Sequence, residues 1–171
     1  QAHNASLAVM SADLLRDAGY RQIDHTAISQ GLRSTHWPLR FEIFDQTPTI
    51  VLDAAHNADS MKAVASVLAG SEWANRRRVL IFAASSDKDA QSMIEIIAPH
   101  FDHVVFTRFL GNPRSRSPEE LLSLSELLPS ARTPATRFQT AENPMNALEE
   151  SRELAGQNGL VVVTGSIFLA S

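Results

Sequence analysis

The chain has 171 residues, of which 44% are apolar and 20% charged, with a formal net charge of -4 and no cysteine. That length suffices for one full domain plus a fragment, and a chain of this size removes roughly 70% of its unfolded surface from water. The composition excludes disulfides and thiolate metal sites, offers no basic surplus for nucleic acid, and contains no run near the ~18 apolar residues of a membrane span. The compartment expected is the cytoplasm. Of the 15 basic residues 13 are Arg, so the two lysines, Lys62 and Lys88, are informative where they occur.

The first residues read as the opening of a helix without a start methionine, as in a chain cut from a longer one. From Ala5 to Ala18 apolar residues recur at Leu7, Met10, Leu14, Leu15 and Ala18, one helical face, and Gly19 suits the position after the last turn. Asp24 is placed to cap a second helix through Ile28 to Leu32, and Thr35-His36-Trp37-Pro38 breaks the pattern. A domain boundary is expected there, giving 1–37 as a helical tail and 38–171 as a domain.

Beyond it, Phe41 to Phe44 predicts a short strand and Thr49 to Leu52 a compact β-branched one. Helix and strand then alternate: helix Ser60–Leu68, strand Val79–Phe82, helix Gln91–Ile97, strand Val104–Phe106, and a helix from Pro118 to about Leu128. A connection at Pro129 to Pro134 leads to a weak strand at Thr136–Gln139, a helix at Pro144–Ala155 and a last strand at Leu160–Val163. Continuous apolar strands alternating with helices predict an α/β, Rossmann-like domain: a mostly parallel sheet covered on both faces.

Ligands in such sheets bind beyond the carboxyl ends of the strands. Those ends are polar here: Asp53-Ala54-Ala55-His56-Asn57, Ser85-Ser86-Asp87-Lys88-Asp89, Thr107-Arg108 and Thr164-Gly165-Ser166. Asp53 has the lone pairs to accept both hydroxyls of a ribose, and it could equally cap the following helix. In Asp87-Lys88-Asp89 an ammonium between two carboxylates stays protonated, held for an anionic substrate or left as a solvated cluster. Gly165-Ser166 permits close backbone approach and supplies a hydroxyl, for a carboxylate or for a helix cap. His56 suits a ligand or the neighbouring backbone.

Other residues carry less. His100 and His103 fall at the amino end of the sheet with no further metal ligand in view, and Arg114 and Arg116 read as part of a flexible solvated loop rather than an anion site. No Gly-x-x-x-x-Gly-Lys-Ser/Thr, Gly-x-Gly-x-x-Gly or Gly-x-Ser-x-Gly occurs. The expected site is one-sided.

In order, Asn4-Ala5, His36-Trp37-Pro38-Leu39-Arg40, Leu52-Asp53-Ala54-Ala55-His56-Asn57, Asp87-Lys88-Asp89, Thr107-Arg108 and Val163-Thr164-Gly165-Ser166 resemble the C-terminal part of folylpolyglutamate synthase/dihydrofolate synthase, a branch of the Mur ligase superfamily. The resemblance implies an ATP-dependent ligase that phosphorylates a pteroate or folate carboxylate and lets the amine of L-glutamate attack the acyl phosphate. It implies that Asn4, Arg40 and Asp53 bind ATP, with Asn4 at adenine, Arg40 at the phosphates and Asp53 at the ribose. His56 and Lys88 would serve glutamate binding and the reacting centre, and Ser166 glutamate binding. Magnesium and its ligands, the phosphate loop and a modified lysine belong to a preceding ATPase domain, so the chain alone is expected to be inactive. Leu39 stands where the family usually has Gly, which puts the shape of the loop carrying Arg40 at issue, and Ala54 replaces a commoner Gly. Two other readings stand beside this one: a stand-alone nucleotide- or amino-acid-binding regulatory module, and a ligase domain acting on cell-wall precursors.

Overall fold

The structure, a computed structural model, describes residues 2–70, 73, 75–128 and 136–171. The connection expected over 129–134 lies outside them. The chain divides into two compact units, Gln1–Pro38 and Leu39–Ser171.

The first unit holds helices α1 (Ala2–Asp17) and α2 (His25–Ser34). Gly19, at φ 111, lets the chain turn out of α1, with the Gly19 and Tyr20 N–H groups donating to Arg16 O and Leu15 O. Asp24 caps α2 by accepting the Ala27 N–H at 2.7 Å, as its place before the helix predicts. The spacing of apolar residues located α1 but not a core, since Leu7, Met10, Leu14 and Leu15 are 51%, 62%, 70% and 48% exposed.

The second unit is a six-stranded sheet of β1 (Glu42–Gln46), β2 (Thr49–Leu52), β3 (Arg78–Phe82), β4 (His103–Phe106), β5 (Arg137–Thr140) and β6 (Leu160–Thr164). Its helices are α3 (Ala58–Ala69), α4 (Ala90–Ile97), α5 (Pro118–Glu126), α6 (Pro144–Ala155) and α7 (Ile167–Ala170). The order is β1-β2-β6-β3-β4-β5, with β1 antiparallel to β2 and all other pairs parallel. Connections through α3, α4 and α5 all advance the same way, so right-handed crossovers put these helices on one face. The connection through α6 runs back and inserts β6 between β2 and β3, which places α6 on the other face.

The two cores record this. Val51, Leu80, Phe82, Val104, Phe106 and Val162 meet Met61, Leu68, Met93, Ile97 and Leu121 of α3, α4 and α5. The intervening residues Ile50, Val79, Ile81, Val105, Val161 and Val163 pack with Ala147, Leu148 and Leu154 of α6. Alternate residues of β2, β3, β4 and β6 therefore enter opposite cores, and both must be apolar, which is why these four strands read as unbroken apolar runs. Each fully buried Leu, Ile or Phe contributes on the order of 1.5–3 kcal/mol.

Two expectations need correction. The strand placed at Phe41–Phe44 begins instead at Glu42, because Phe41 is left-handed at φ 54 and cannot extend it; the pairing with β2 carries an irregularity between Ile43 and Asp45. The Arg114–Arg116 segment is not a free loop: Ser115 forms an antiparallel bridge with Ser85, and Ser86 N–H donates to Arg114 O at 2.7 Å. The 3-10 turn Ala98–His100 has no counterpart in the expected elements, whereas the helix-cap alternative for Gly165-Ser166 holds, since Ser166 caps the short α7. His103 opens β4, so it and His100 lie at the amino edge, away from the polar strand ends.

Candidate functional site

Parallel pairing aligns the carboxyl ends of β2, β6 and β3 as consecutive neighbours. The loops leaving them carry Asp53 and His56, Gly165 and Ser166, and Lys88. Residues 113 positions apart in the chain, Asp53 and Ser166, thus end adjacent strands. The chain leaves β2 and β3 toward the α3–α5 face and leaves β6 toward the opposite face, where Leu169 of α7 packs with the α6 core. That divergence is the switch point at which α/β sheets open a crevice.

Asp53 is 8% exposed and spends both carboxylate oxygens on backbone. Oδ2 accepts the Phe41 N–H at 2.9 Å and Oδ1 the Ala55 N–H at 2.8 Å. Burial raises its pKa above the usual carboxylate range, against the opposing pull of those two hydrogen bonds and of the Arg40 charge. Each oxygen keeps lone-pair capacity beyond the one N–H it accepts. Asp53 does not cap α3. Asn57 does, accepting the Ser60 N–H at 2.9 Å while the Ser60 hydroxyl accepts the Asn57 N–H at 3.1 Å.

Arg40 is exposed and stands between two left-handed residues, Leu39 at φ 59 and Phe41 at φ 54. Leu39 therefore keeps the backbone conformation that glycine adopts freely, and pays about 1–2 kcal/mol of steric cost for it. Its N–H donates to Glu42 Oε2 at 2.8 Å and its carbonyl accepts the Ala54 N–H at 2.8 Å, which fixes the loop over the end of β2. Leu39→Gly is expected to leave the loop in place and to stabilise the domain by up to about 1 kcal/mol in urea denaturation, relief of strain being partly offset by a freer unfolded chain. A loss of stability would show that the Leu39 side chain contributes more than its backbone costs.

His56 is exposed, and its Nδ1 lies 2.9 Å from Ala54 O. A carbonyl only accepts, so Nδ1 carries the proton and Nε2 of the neutral ring holds the lone pair. Lys88 is half-exposed, with Nζ 3.6 Å from Asp87 Oδ2. The expected sharing of its ammonium between two carboxylates is not what the loop does. Asp89 caps α4 instead, accepting the Ser92 N–H at 3.1 Å and the Ser92 hydroxyl at 2.6 Å, which holds its carboxyl below the usual range.

Ser166 is 3% exposed and caps α7, its Oγ accepting the Phe168 N–H at 3.2 Å, so its O–H remains available to donate. Gly165 N–H donates to Ala55 O at 3.0 Å and the Thr164 hydroxyl reaches the same carbonyl at 3.5 Å, stitching the end of β6 to the Asp53 loop. Thr107 is fully buried, and Arg108 turns its Nε to Glu142 O at 3.2 Å. Asn4 lies exposed on the first turn of α1 in the first unit. The contributions of Glu42 and Arg116 were missed, for neither has a local sequence signature. Among the described residues no group of three or more His, Asp or Glu is arranged to hold a metal, and no helix is long and apolar enough to cross a membrane.

Fold and site together define an α/β domain that presents an acidic, a cationic and a hydroxyl group on three neighbouring strand ends. Residues 39–167 match the family described as Mur ligase, glutamate ligase domain, and the chain belongs to that family. A probable bifunctional folylpolyglutamate synthase/dihydropteroate synthase of Haloferax volcanii is 36% identical over 171 residues, 100% of this chain and 19% of the relative. A dihydrofolate synthase/folylpolyglutamate synthase of Bacillus subtilis is 28% identical over 100% of this chain and 37% of its own length. The solved Mycobacterium tuberculosis folylpolyglutamate synthase complexed with ADP superposes with a TM-score of 0.71 at 30% identity, over 86% of this chain and 34% of that one. The chain thus spans well under half the length of these relatives.

Proposed function

We propose that this chain supplies the nucleotide-ribose and glutamate side of an ATP-dependent ligase that joins L-glutamate to a folate or pteroate carboxylate through an acyl phosphate. The observation that carries the reading is the convergence of Asp53, His56, Lys88 and Ser166 on the ends of β2, β6 and β3, in a domain of the glutamate ligase family. The names of the relatives and the ADP of the mycobacterial enzyme support it.

In this reading Arg40, beside Asp53, offers a planar fork to the nucleotide phosphates, Asp53 accepts from the ribose and Asn4 meets adenine. The Lys88 ammonium and the Ser166 hydroxyl hold glutamate carboxylates. His56 Nε2 accepts from the glutamate amine, favouring the neutral nucleophile. The amine forms the new C–N bond, the C–O bond to phosphate breaks, and the amine gives up one proton. In this reading the domain contributes positioning and electrostatics, and magnesium would neutralise phosphate charge in the assembled site. The work is that of a cytoplasmic enzyme, with neither nucleic acid nor membrane as a partner.

The 171 residues alone are expected to give no ligase turnover. In a ligase carrying this domain, Lys88→Ala is expected to raise KM for glutamate by about 10-fold or more, the loss of a charge-assisted contact, with KM for ATP little changed. Turnover by the chain alone, or unchanged glutamate kinetics in Lys88→Ala, would overturn the assignment.

A further inference from the structure

Arg116 lies just before α5, yet its bonds lead to the Lys88 loop. Its Nη2 donates to Ser86 O at 2.9 Å and to Lys88 O at 3.4 Å, and its own N–H donates to Ala84 O at 3.0 Å. Ser86 N–H returns a bond to Arg114 O at 2.7 Å, and Ser85 pairs with Ser115. The Arg116 Nε is buried without an acceptor. Through Nη2 the guanidinium is committed to the carbonyls of the Lys88 loop.

The Lys88 loop needs such a clamp. Residues 85–89 belong to no helix and to no strand beyond the single bridge at Ser85, and inside the loop the backbone is tied by Lys88 N–H to Ser85 O and Ala90 N–H to Lys88 O. One side chain that grips the carbonyls of residues 86 and 88 together fixes the peptide plane that enters Asp87 and the one that leaves Lys88, and with them the direction in which the Lys88 stem leaves. The guanidinium can do this because the two N–H bonds of Nη2 are fixed in its plane, whereas an ammonium turns freely on its stem.

We infer that Arg116 is the positioning residue for Lys88, strapping the loop after β3 so that the ammonium is presented to an anionic substrate at a fixed place. The catalytic side of the inference rests on the glutamate-binding reading of Lys88; the strap itself does not. Both are tested by Arg116→Gln and Arg116→Lys. In this chain, amide hydrogen exchange at Ser86 and Lys88 is expected to rise by about 10-fold or more in Arg116→Gln, a local opening, while Met93 and Ile94 of α4 keep their protection. Arg116→Lys, which keeps the charge but loses the fixed plane of the Nη2 N–H bonds, is expected to leave that exchange raised, and it serves as the second variant if Arg116→Gln fails to fold.

In a ligase carrying the domain, kcat/KM for glutamate is expected to fall by about 10- to 100-fold, the cost of a displaced substrate-positioning group, chiefly through KM, with KM for ATP unchanged. Unchanged exchange at Ser86 and Lys88 in the Arg116 variants overturns the strap. Raised exchange with glutamate kinetics intact, in a ligase where Lys88→Ala does impair them, overturns the positioning role. If Lys88→Ala is itself silent, the glutamate reading of Lys88 fails, and hydrogen exchange alone upholds or overturns the strap.

Discussion

Gly165→Ala is expected to destabilise the domain by about 3 kcal/mol or more in urea denaturation, since it combines backbone strain with an overlap that cannot be relieved by rotation. At Gly165 φ is +106, a conformation that L side chains rarely adopt. A Cβ there would stand 2.3 Å from Ala83 O and 2.9 Å from Cδ2 and Cε2 of the Phe82 ring. Neither neighbour is free to yield. Ala83 O is main chain at the end of β3, and Phe82 is fully buried with its ring edge-on to Phe106 at 6.1 Å. The ends of β3 and β6 would have to part, and Gly165 N–H would leave Ala55 O. Because Ala55 N–H is one of the two donors to Asp53, the disturbance would pass directly into the site. A loss below about 1 kcal/mol, within the range of an ordinary substitution, would show that the two strand ends separate easily and that close approach is not what Gly165 provides.

The sheet was legible because its strands face two cores. Val79 to Phe82 and Leu160 to Val163 had to be apolar at every position, and such runs between helices of eight to twelve residues admit few architectures. Two helix starts were legible, that of α2 from Asp24 and that of α5 from Pro118. The position of β6 was not. Its insertion between β2 and β3 depends on α6 crossing the opposite face, and no short-range pattern records which face a helix takes.

The site divides the same way. Asp53, His56, Lys88 and Ser166 were visible as polar residues ending apolar runs, and their ordered motifs resemble a known family. Their bonds were not visible. Asp89 was read as a partner for Lys88 because the two are adjacent in sequence, whereas the start of α4 takes its carboxylate for capping. Arg116 was read as solvated because the carbonyls it binds lie 30 and 28 residues away. Leu39 was read as a change in loop shape, yet Leu39 holds the left-handed conformation, supported by Glu42 and Ala54. A short-range pattern reports local conformation and burial; contacts made through the third dimension leave no trace in it.

The strongest dependence of the site on one side chain is that on Asp53. Asp53→Ala is expected to cost about 2–4 kcal/mol of stability, because two backbone donors, Phe41 N–H and Ala55 N–H, lose a shared carboxylate acceptor in a buried place. Phe41 would be left in its left-handed conformation, held by its packing against the core and its ring contact to Trp73 at 5.6 Å rather than by a hydrogen bond to Asp53. The segment carrying Arg40 would loosen with it. The pH dependence has a definite sign. Burial is the largest influence and raises the folded pKa of Asp53 above its ordinary value. A carboxyl whose folded pKa is raised contributes stability fully below the unfolded pKa and loses it as pH rises through the folded value. The stability gap between the parent chain and Asp53→Ala should therefore be widest below about pH 4, the ordinary Asp value, and narrow as pH rises toward neutrality. A gap that widens with rising pH would mean that Arg40 and the two N–H groups outweigh burial. In a ligase carrying the domain the same substitution is expected to raise KM for ATP by about 10-fold or more, the loss of hydrogen bonds to a charged group, and to leave KM for glutamate less affected. Unchanged affinity for ATP would confine Asp53 to holding Phe41 and Ala55, and the ribose would have to be bound elsewhere.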